Sequence, residues 1–260
     1  MSGLALLAVF AHPDDEAFGP GGTLAKYSSQ GVNVWLATAT RGEAGQSSGI
    51  DVSGPEELAA IREKELECSC QTLGVHRLCF LGYVDGMLAN ADLEDVEQRI
   101  VRLIREQRPQ VMITFGPEGI YGHPDHITIG EVATRAFRSA AVPTRFPHLL
   151  HEGLAPFAPS KLYHITLPKQ FAEMLDPRLQ GTDEDKITAI VDTSAFGEQK
   201  WKAVTCHRTQ RADWGRIGQE QVNAMVQREY YVLADSLVGW PQGHEQDLFE
   251  RVAQPGAASS

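Results

Sequence analysis

The 260-residue sequence predicts a single-domain α/β fold, an open and mostly parallel sheet with helices on both faces. Three observations predict it. Through residue 141, short apolar runs alternate with segments of helical periodicity, the order that gives parallel strands joined by right-handed crossovers. The runs are continuously apolar, which marks buried strands. Conspicuous polar residues follow directly on the ends of those runs, where such sheets bind ligands.

Residues 4–11 are the first buried run, and they stop abruptly at His12-Pro13-Asp14-Asp15-Glu16. Gly19, Gly21 and Gly22 then read as a glycine-lined loop opening a helix that Gly31 stops. No GxGxxG pattern is present, so close backbone approach to a metal site or substrate explains the glycines better than a cofactor phosphate. Residues 32–40 are a second strand, followed by a Gly/Ser-rich loop through residue 54 that starts at Arg41 and borders the same edge. Residues 55–73 form a helix, with Pro55 and two glutamates in its first turn and Gly74 after its end. Arg62 and Glu65, three apart on it, can pair. Residues 77–83 are a third strand ending near Asp85, residues 93–107 a helix, and residues 110–116 a fourth strand. Beyond it lie Tyr121, His123, Asp125 and His126, and then a helix over 127–141 with Pro124 in its first turn. Signals weaken afterwards. Residues 142–159 read as a surface loop, 161–167 and 187–191 as strands, 196–205 and 220–233 as helices, and 253–260 as a frayed tail. The chain thus divides into a core, 1–141, and a less regular C-terminal part, 142–260, packing on it.

Hydrophobic residues make up 42% of the chain, enough for one large core. A net charge of -11 argues against a nucleic-acid surface and against an anionic membrane as partner. The first apolar run is short and lacks a basic flank, so it does not read as a signal peptide, and cytoplasmic is the default. Cys68, Cys70, Cys79 and Cys206 show no CxxC pair and no disulfide spacing, and read as small apolar filler in a reducing compartment.

Three carboxylates and an imidazole at the end of a buried strand are costly unless they meet a cation. His12 and Asp15 can point at one ion, with His126 the favoured third ligand. Such a His/Asp/His set leaves zinc a position open for water. Asp14 then stays free as general base for that water and as donor to a departing amine. His123, with Asp125 tuning its protonation, and the Tyr121 hydroxyl can stabilise a tetrahedral oxyanion. Such a site suits metal-assisted hydrolysis of an unactivated amide.

Ala11-His12-Pro13-Asp14-Asp15-Glu16 together with Gly122-His123-Pro124-Asp125-His126 resembles the LmbE-like (PIG-L) family of zinc-dependent N-acetylglucosaminyl deacetylases. The resemblance implies a Rossmann-like sheet and metal binding by His12, Asp15 and His126. It implies Asp14 as general acid/base and His123 as transition-state stabiliser. It also implies that Arg62 contacts substrate, that Asp85 bonds sugar hydroxyls, and that Tyr121 is mobile and closes over the oxyanion. Cys206-His207-Arg208-Thr209-Gln210 is similar to the family's AHxxQ segment, with Cys in place of Ala, which makes His207 a pocket residue. The expected activity is zinc-dependent removal of acetyl from a small GlcNAc-containing molecule, with trimers or hexamers common in the family. Ferrous iron also suits this donor set. An amidase of thiol conjugates within the family, and a non-catalytic metal or nucleotide binder outside it, are the alternatives.

Overall fold

The computed structural model describes residues 3–215 and 217–253. The expected frayed tail, 253–260, lies outside the described residues apart from its first residue. The chain runs β1 (Ala5–Phe10), α1 (Asp15–Phe18), α2 (Gly21–Ser29), β2 (Asn33–Thr40), α3 (Pro55–Leu73), β3 (Arg77–Tyr83), α4 (Leu93–Gln107) and β4 (Val111–Phe115). There follow α5 (Gly119–Gly122), α6 (Pro124–Ser139), α7 (His148–His151), β5 (Lys161–Thr166), α8 (Lys169–Leu175) and β6 (Ala189–Asp192). Last come α9 (Gly197–Cys206), α10 (Arg211–Trp214), α11 (Gln219–Gln227) and β7 (Arg228–Ser236).

The seven strands make one sheet in the order β3-β2-β1-β4-β5-β7-β6. β3, β2, β1, β4 and β5 are parallel, and β7 runs antiparallel between β5 and β6. β1 is wholly buried because α2, α3 and α9 gather on one face while α4 and α6 cover the other. Its neighbours β2 and β4 lead away in opposite directions, so the order of strands reverses beside β1. A crevice opens beyond the C-terminal ends at such a point. No helix among the described residues is long and apolar enough to cross a membrane.

Four features differ from the sequence-based expectations. The glycine stretch is not a loop: Gly21 and Gly22 form the first turn of α2. Gly22 instead meets the C-terminal part of the chain, lying against Thr193 and donating its N–H to Glu229 at 2.8 Å. The helix expected over 220–233 ends at Gln227, and the chain continues as β7. There Glu229, Tyr231 and Leu233 alternate inward with a period of two, and pairing to two strands outweighs the helical pattern. The C-terminal part is therefore more regular than its weak signals suggest, since it completes the same sheet. Finally, Cys68 and Cys206 form a disulfide joining α3 to the end of α9, leaving Cys70 and Cys79 free. Spacing rules see only nearby pairs, and these two are brought together by helix packing across 138 residues.

A buried ionic cluster ties the C-terminal segment to β5. Lys161 Nζ donates to Glu245 Oε1 at 2.7 Å, Tyr163 donates to the other carboxylate oxygen, and Arg251 Nη2 donates to Oε1 at 2.7 Å. Lys161 and Glu245 are both buried. Removing one partner strands the other charge away from water. Glu245→Gln is therefore expected to destabilise the fold by about 3 kcal/mol or more, read from the urea midpoint at unchanged m-value; a shift within 0.5 kcal/mol, on the order of a surface substitution, refutes the cluster's role. In denatured protein without reductant, only Cys70 and Cys79 are expected to alkylate. Labelling of all four cysteines would remove the cross-link.

Candidate active site

The site is assembled at the reversal of strand order, from the chain leaving β1, the turns after β2 and β3, and the start of α6. β1 delivers His12. One turn later the Asp15 carboxylate folds back on the strand end, its Oδ2 accepting from the N–H groups of Ala11 (3.1 Å) and His12 (2.8 Å). β4 ends at Phe115, whose ring stacks on His126 with centroids 3.9 Å apart and planes 8° from parallel. That stack fixes a ring carried by the first turn of α6.

The protonation pattern follows from the neighbours. His12 Nε2 lies 3.0 Å from Asp85 Oδ1 and 3.2 Å from Asp125 Oδ2, so its N–H goes to carboxylates. His126 Nδ1 lies 3.1 Å from the Gly119 carbonyl and must donate there. The remaining nitrogens, His12 Nδ1 and His126 Nε2, then face each other at 3.1 Å as lone pairs. Asp15 adds carboxylate oxygens 3.8 Å from the first and 3.3 Å from the second. With both imidazoles neutral, these converging acceptors in a buried site call for positive charge, which either a shared proton or a metal ion can supply. Both imidazoles also carry the outer acceptor that metal-bound histidines typically have. The donors therefore fit a divalent ion. The nitrogens of His12, His123 and His126 lie within 4.8 Å of one another, as do donor atoms of His12, Asp85 and Asp125, so among the described residues His12 belongs to both such groups.

Electrostatics agree. Burial disfavours the His12 imidazolium, but Asp125, Asp85 and Asp15 outweigh it and lift its pKa to about 10. Burial also opposes Asp15 ionisation, yet the neighbouring His126 and His12 lower its pKa to about 2. Asp14 goes the other way. Burial raises it to about 6, against the pull of Arg62. Its backbone takes φ +114°, a conformation costly for a residue with a Cβ, and one that sites retain where the surroundings enforce it.

Those surroundings come mostly from α3 and α9. Arg62 donates to the Gly42 carbonyl (2.8 Å), the Pro13 carbonyl (2.5 Å) and Asp14 Oδ2 (3.2 Å). Gly42, at φ +74°, leaves the guanidinium room that a Cβ would take. Glu16 accepts from the Asp14 N–H at 3.0 Å and is itself held by Ser69 and by His207 Nε2 at 2.8 Å. Glu65 pairs with Thr209, at 2.9 Å from its N–H and 2.6 Å from its hydroxyl, and not with Arg62 as its spacing suggests.

His207 is a correction. Expected in the pocket, it is fully enclosed beneath Glu16, because the end of α9 packs under the turn after β1. Arg62 and Asp85 likewise face inward, the latter accepting from His12 and, at 3.0 Å, from Ala44 N–H. Arg41 turns away to Glu56 and Glu63. Asp125 does more than adjust His123. Its fully buried carboxylate accepts from Gly86 N–H (2.8 Å), Leu88 N–H (3.1 Å) and His12, which joins three segments. His123 caps α6, its Nδ1 accepting from Asp125 N–H at 3.2 Å. The ring proton thus sits on Nε2, while burial and the nearby His12 and His126 lower its pKa. Tyr121 is 45% exposed at the rim, its ring 5.1 Å from His126, after Ile120 at φ +67°. Sequence reading missed Glu16 and Glu43. The first stands in plain view as the third acidic residue of the run. The second accepts from Asp85 N–H at 3.0 Å, and nothing in its Gly-rich loop marked it. A cavity of about 490 Å³ opens against Asp14, Asp15, Tyr121 and His126.

The sequence pattern of the PIG-L family, described as GlcNAc-PI de-N-acetylase, matches residues 7–137, just over half of the chain. The chain is also 36% identical to the 1D-myo-inositol 2-acetamido-2-deoxy-alpha-D-glucopyranoside deacetylase of Salinispora arenicola, covering 94% of this chain and 90% of that one. It belongs to the PIG-L (LmbE-like) family. The deacetylase of the same description from Thermobifida fusca is 35% identical, over 96% of this chain and all of that one. Among solved structures, the N,N'-diacetylchitobiose deacetylase of Pyrococcus horikoshii superposes with a TM-score of 0.73 at 27% identity, covering 88% of this chain and 83% of that one. This PIG-L family chain is accordingly a hydrolase of carbon–nitrogen bonds.

Asp125→Asn keeps the shape of the side chain but withdraws the charge behind His12. It is expected to weaken the affinity for an added divalent ion by about 10–100-fold, measured by chelator competition. Wild-type affinity in the variant would detach Asp125 from the ion site.

Proposed function

We propose that this chain is a zinc-dependent N-deacetylase that removes the acetyl group from a GlcNAc-containing small molecule. One observation carries the reading: a partly buried carboxylate, Asp14, stands beside the candidate ligand set without belonging to it, held by Arg62 and by its own strained backbone. A metal-binding protein without turnover has no use for such a group. The acetamido sugars in the names of the curated relatives support the substrate class.

His12, Asp15 and His126 would hold the ion. Zinc so held supplies Lewis-acid polarisation of the amide carbonyl and lowers the pKa of water to roughly 7; ferrous iron suits the same donors. Asp14 takes the proton of the attacking water. With a pKa lifted toward neutrality, the same carboxyl then returns that proton to the departing amine nitrogen. The Nε2–H of neutral His123 donates to the oxygen on which negative charge develops, and the Tyr121 hydroxyl approaches it from the rim. Asp125 and Asp85 fix the His12 ring. Arg62, Glu16 and His207 act at one remove, by orienting Asp14.

The test is release of amine from a panel of GlcNAc conjugates by zinc-loaded protein. Asp14→Asn is expected to retain one equivalent of metal and to lose about 10²–10⁴-fold in kcat. Equal turnover in variant and wild type would falsify the role given to Asp14.

A further inference from the structure

We propose that the amide hydrolysed here carries an apolar alkyl or aryl substituent, which seats in the cavity beside Asp14. This rests on the deacetylase reading above and narrows its substrate.

The cavity has two unlike ends. Asp14, Asp15, Tyr121 and His126 line the end where hydrolysis takes place. The remainder is walled by Phe18 of α1, by Ile165 and Leu167 at the end of β5, by Phe171 and Leu175 of α8, and by Met225 of α11. Of the charged side chains on that wall, Lys200, Glu229, Arg178 and Asp176 are engaged with the protein, and Arg228 stands at its edge. Lys200 Nζ donates to Glu229 Oε1 at 2.7 Å and to the Gly19 carbonyl at 2.8 Å. Glu229 in turn accepts from the N–H groups of Gly22 and Thr23 at 2.8 and 2.7 Å. Arg178, at the mouth, pairs with Asp176 at 2.6 Å. A polyol pressed against the stretch formed by Phe18, Ile165, Leu167, Phe171, Leu175 and Met225 would strand hydroxyl groups without partners, at a cost on the order of tenfold in affinity for each one. A hydrocarbon loses nothing there and gains from leaving water.

Size agrees. About 490 Å³ lies within the roughly 300–1,000 Å³ typical of small-molecule pockets, far more than an acetyl methyl needs. Most of the wall belongs to β5, α8 and α11, after the stretch matched by the family pattern ends at residue 137. The chemistry and the choice of substrate are thus carried by different parts of the chain.

An apolar group can be attached at either end of the amide, and two homologous series separate the sources. One lengthens the acyl group of methyl glucosaminide from acetyl to octanoyl. The other keeps N-acetyl and lengthens the glycoside from methyl to hexyl. With zinc-loaded enzyme, kcat/KM is expected to climb about three- to fourfold per methylene seated, and at least about thirtyfold from end to end, in one series. The series that climbs identifies the end that enters the cavity. In Leu175→Asp, and independently in cavity-filling Leu175→Trp, the ratio of longest to shortest substrate is expected to fall at least about tenfold. Flat or falling values in both series, with the shortest member still hydrolysed, overturn the apolar substituent and leave the deacetylase reading intact. No hydrolysis of any member, with one equivalent of metal bound, overturns both.

Discussion

Everything at the site depends on a concentration of negative charge that the fold keeps from water. The carboxylates of Asp15, Asp85 and Asp125 surround the single imidazole of His12, and all four groups are buried. Burying one unpaired carboxylate is already expensive, and three are sustainable only around positive charge. Those carboxylates hold the His12 imidazole well above its ordinary pKa, against the opposing effect of burial. In the function proposed above, a divalent ion held by His12, Asp15 and His126 would answer the same demand. The reversal of strand order makes this possible: the ends of β1 and β4 are neighbours, so residues 12 and 126 meet.

A second layer secures Asp14, the carboxylate to which the proposed mechanism gives the proton transfers. Asp14 is forced into a left-handed backbone conformation by a turn whose neighbours are bound on all sides. Arg62 reaches it from α3, and the relay from His207 through Glu16 reaches it from the end of α9. The Cys68–Cys206 disulfide and the Glu65–Thr209 pair hold those two helices together. The C-terminal part of the chain is therefore no appendage. It braces Asp14, completes the sheet and walls the cavity.

Much of the fold was legible because the signals for it are local. The bounds of α3 match its Pro–Glu–Glu start and Gly74 stop, and β1, β2 and β4 match their apolar runs to within a residue or two. The misreading of β7 has an equally local cause. Residues 219–227 are helical, and their periodicity runs on into Glu229, Tyr231 and Leu233, whose inward alternation means something only between β5 and β6. The glycines of α2 misled for a similar reason, because what they approach, Thr193 and Glu229, comes from much later in the chain.

By itself the sequence determined the alternation of strands and helices and the two His/Asp motifs placed after strands. Each depends on residues a few positions apart, whose spacing dictates their direction. Only the tertiary structure decided that Asp125 braces His12, that His207 lies under Glu16, that two of the four cysteines are joined, and that one side of the site is apolar. These are relations between segments a hundred or more residues apart. They are set by how the helices pack on the sheet, and no short-range pattern encodes them.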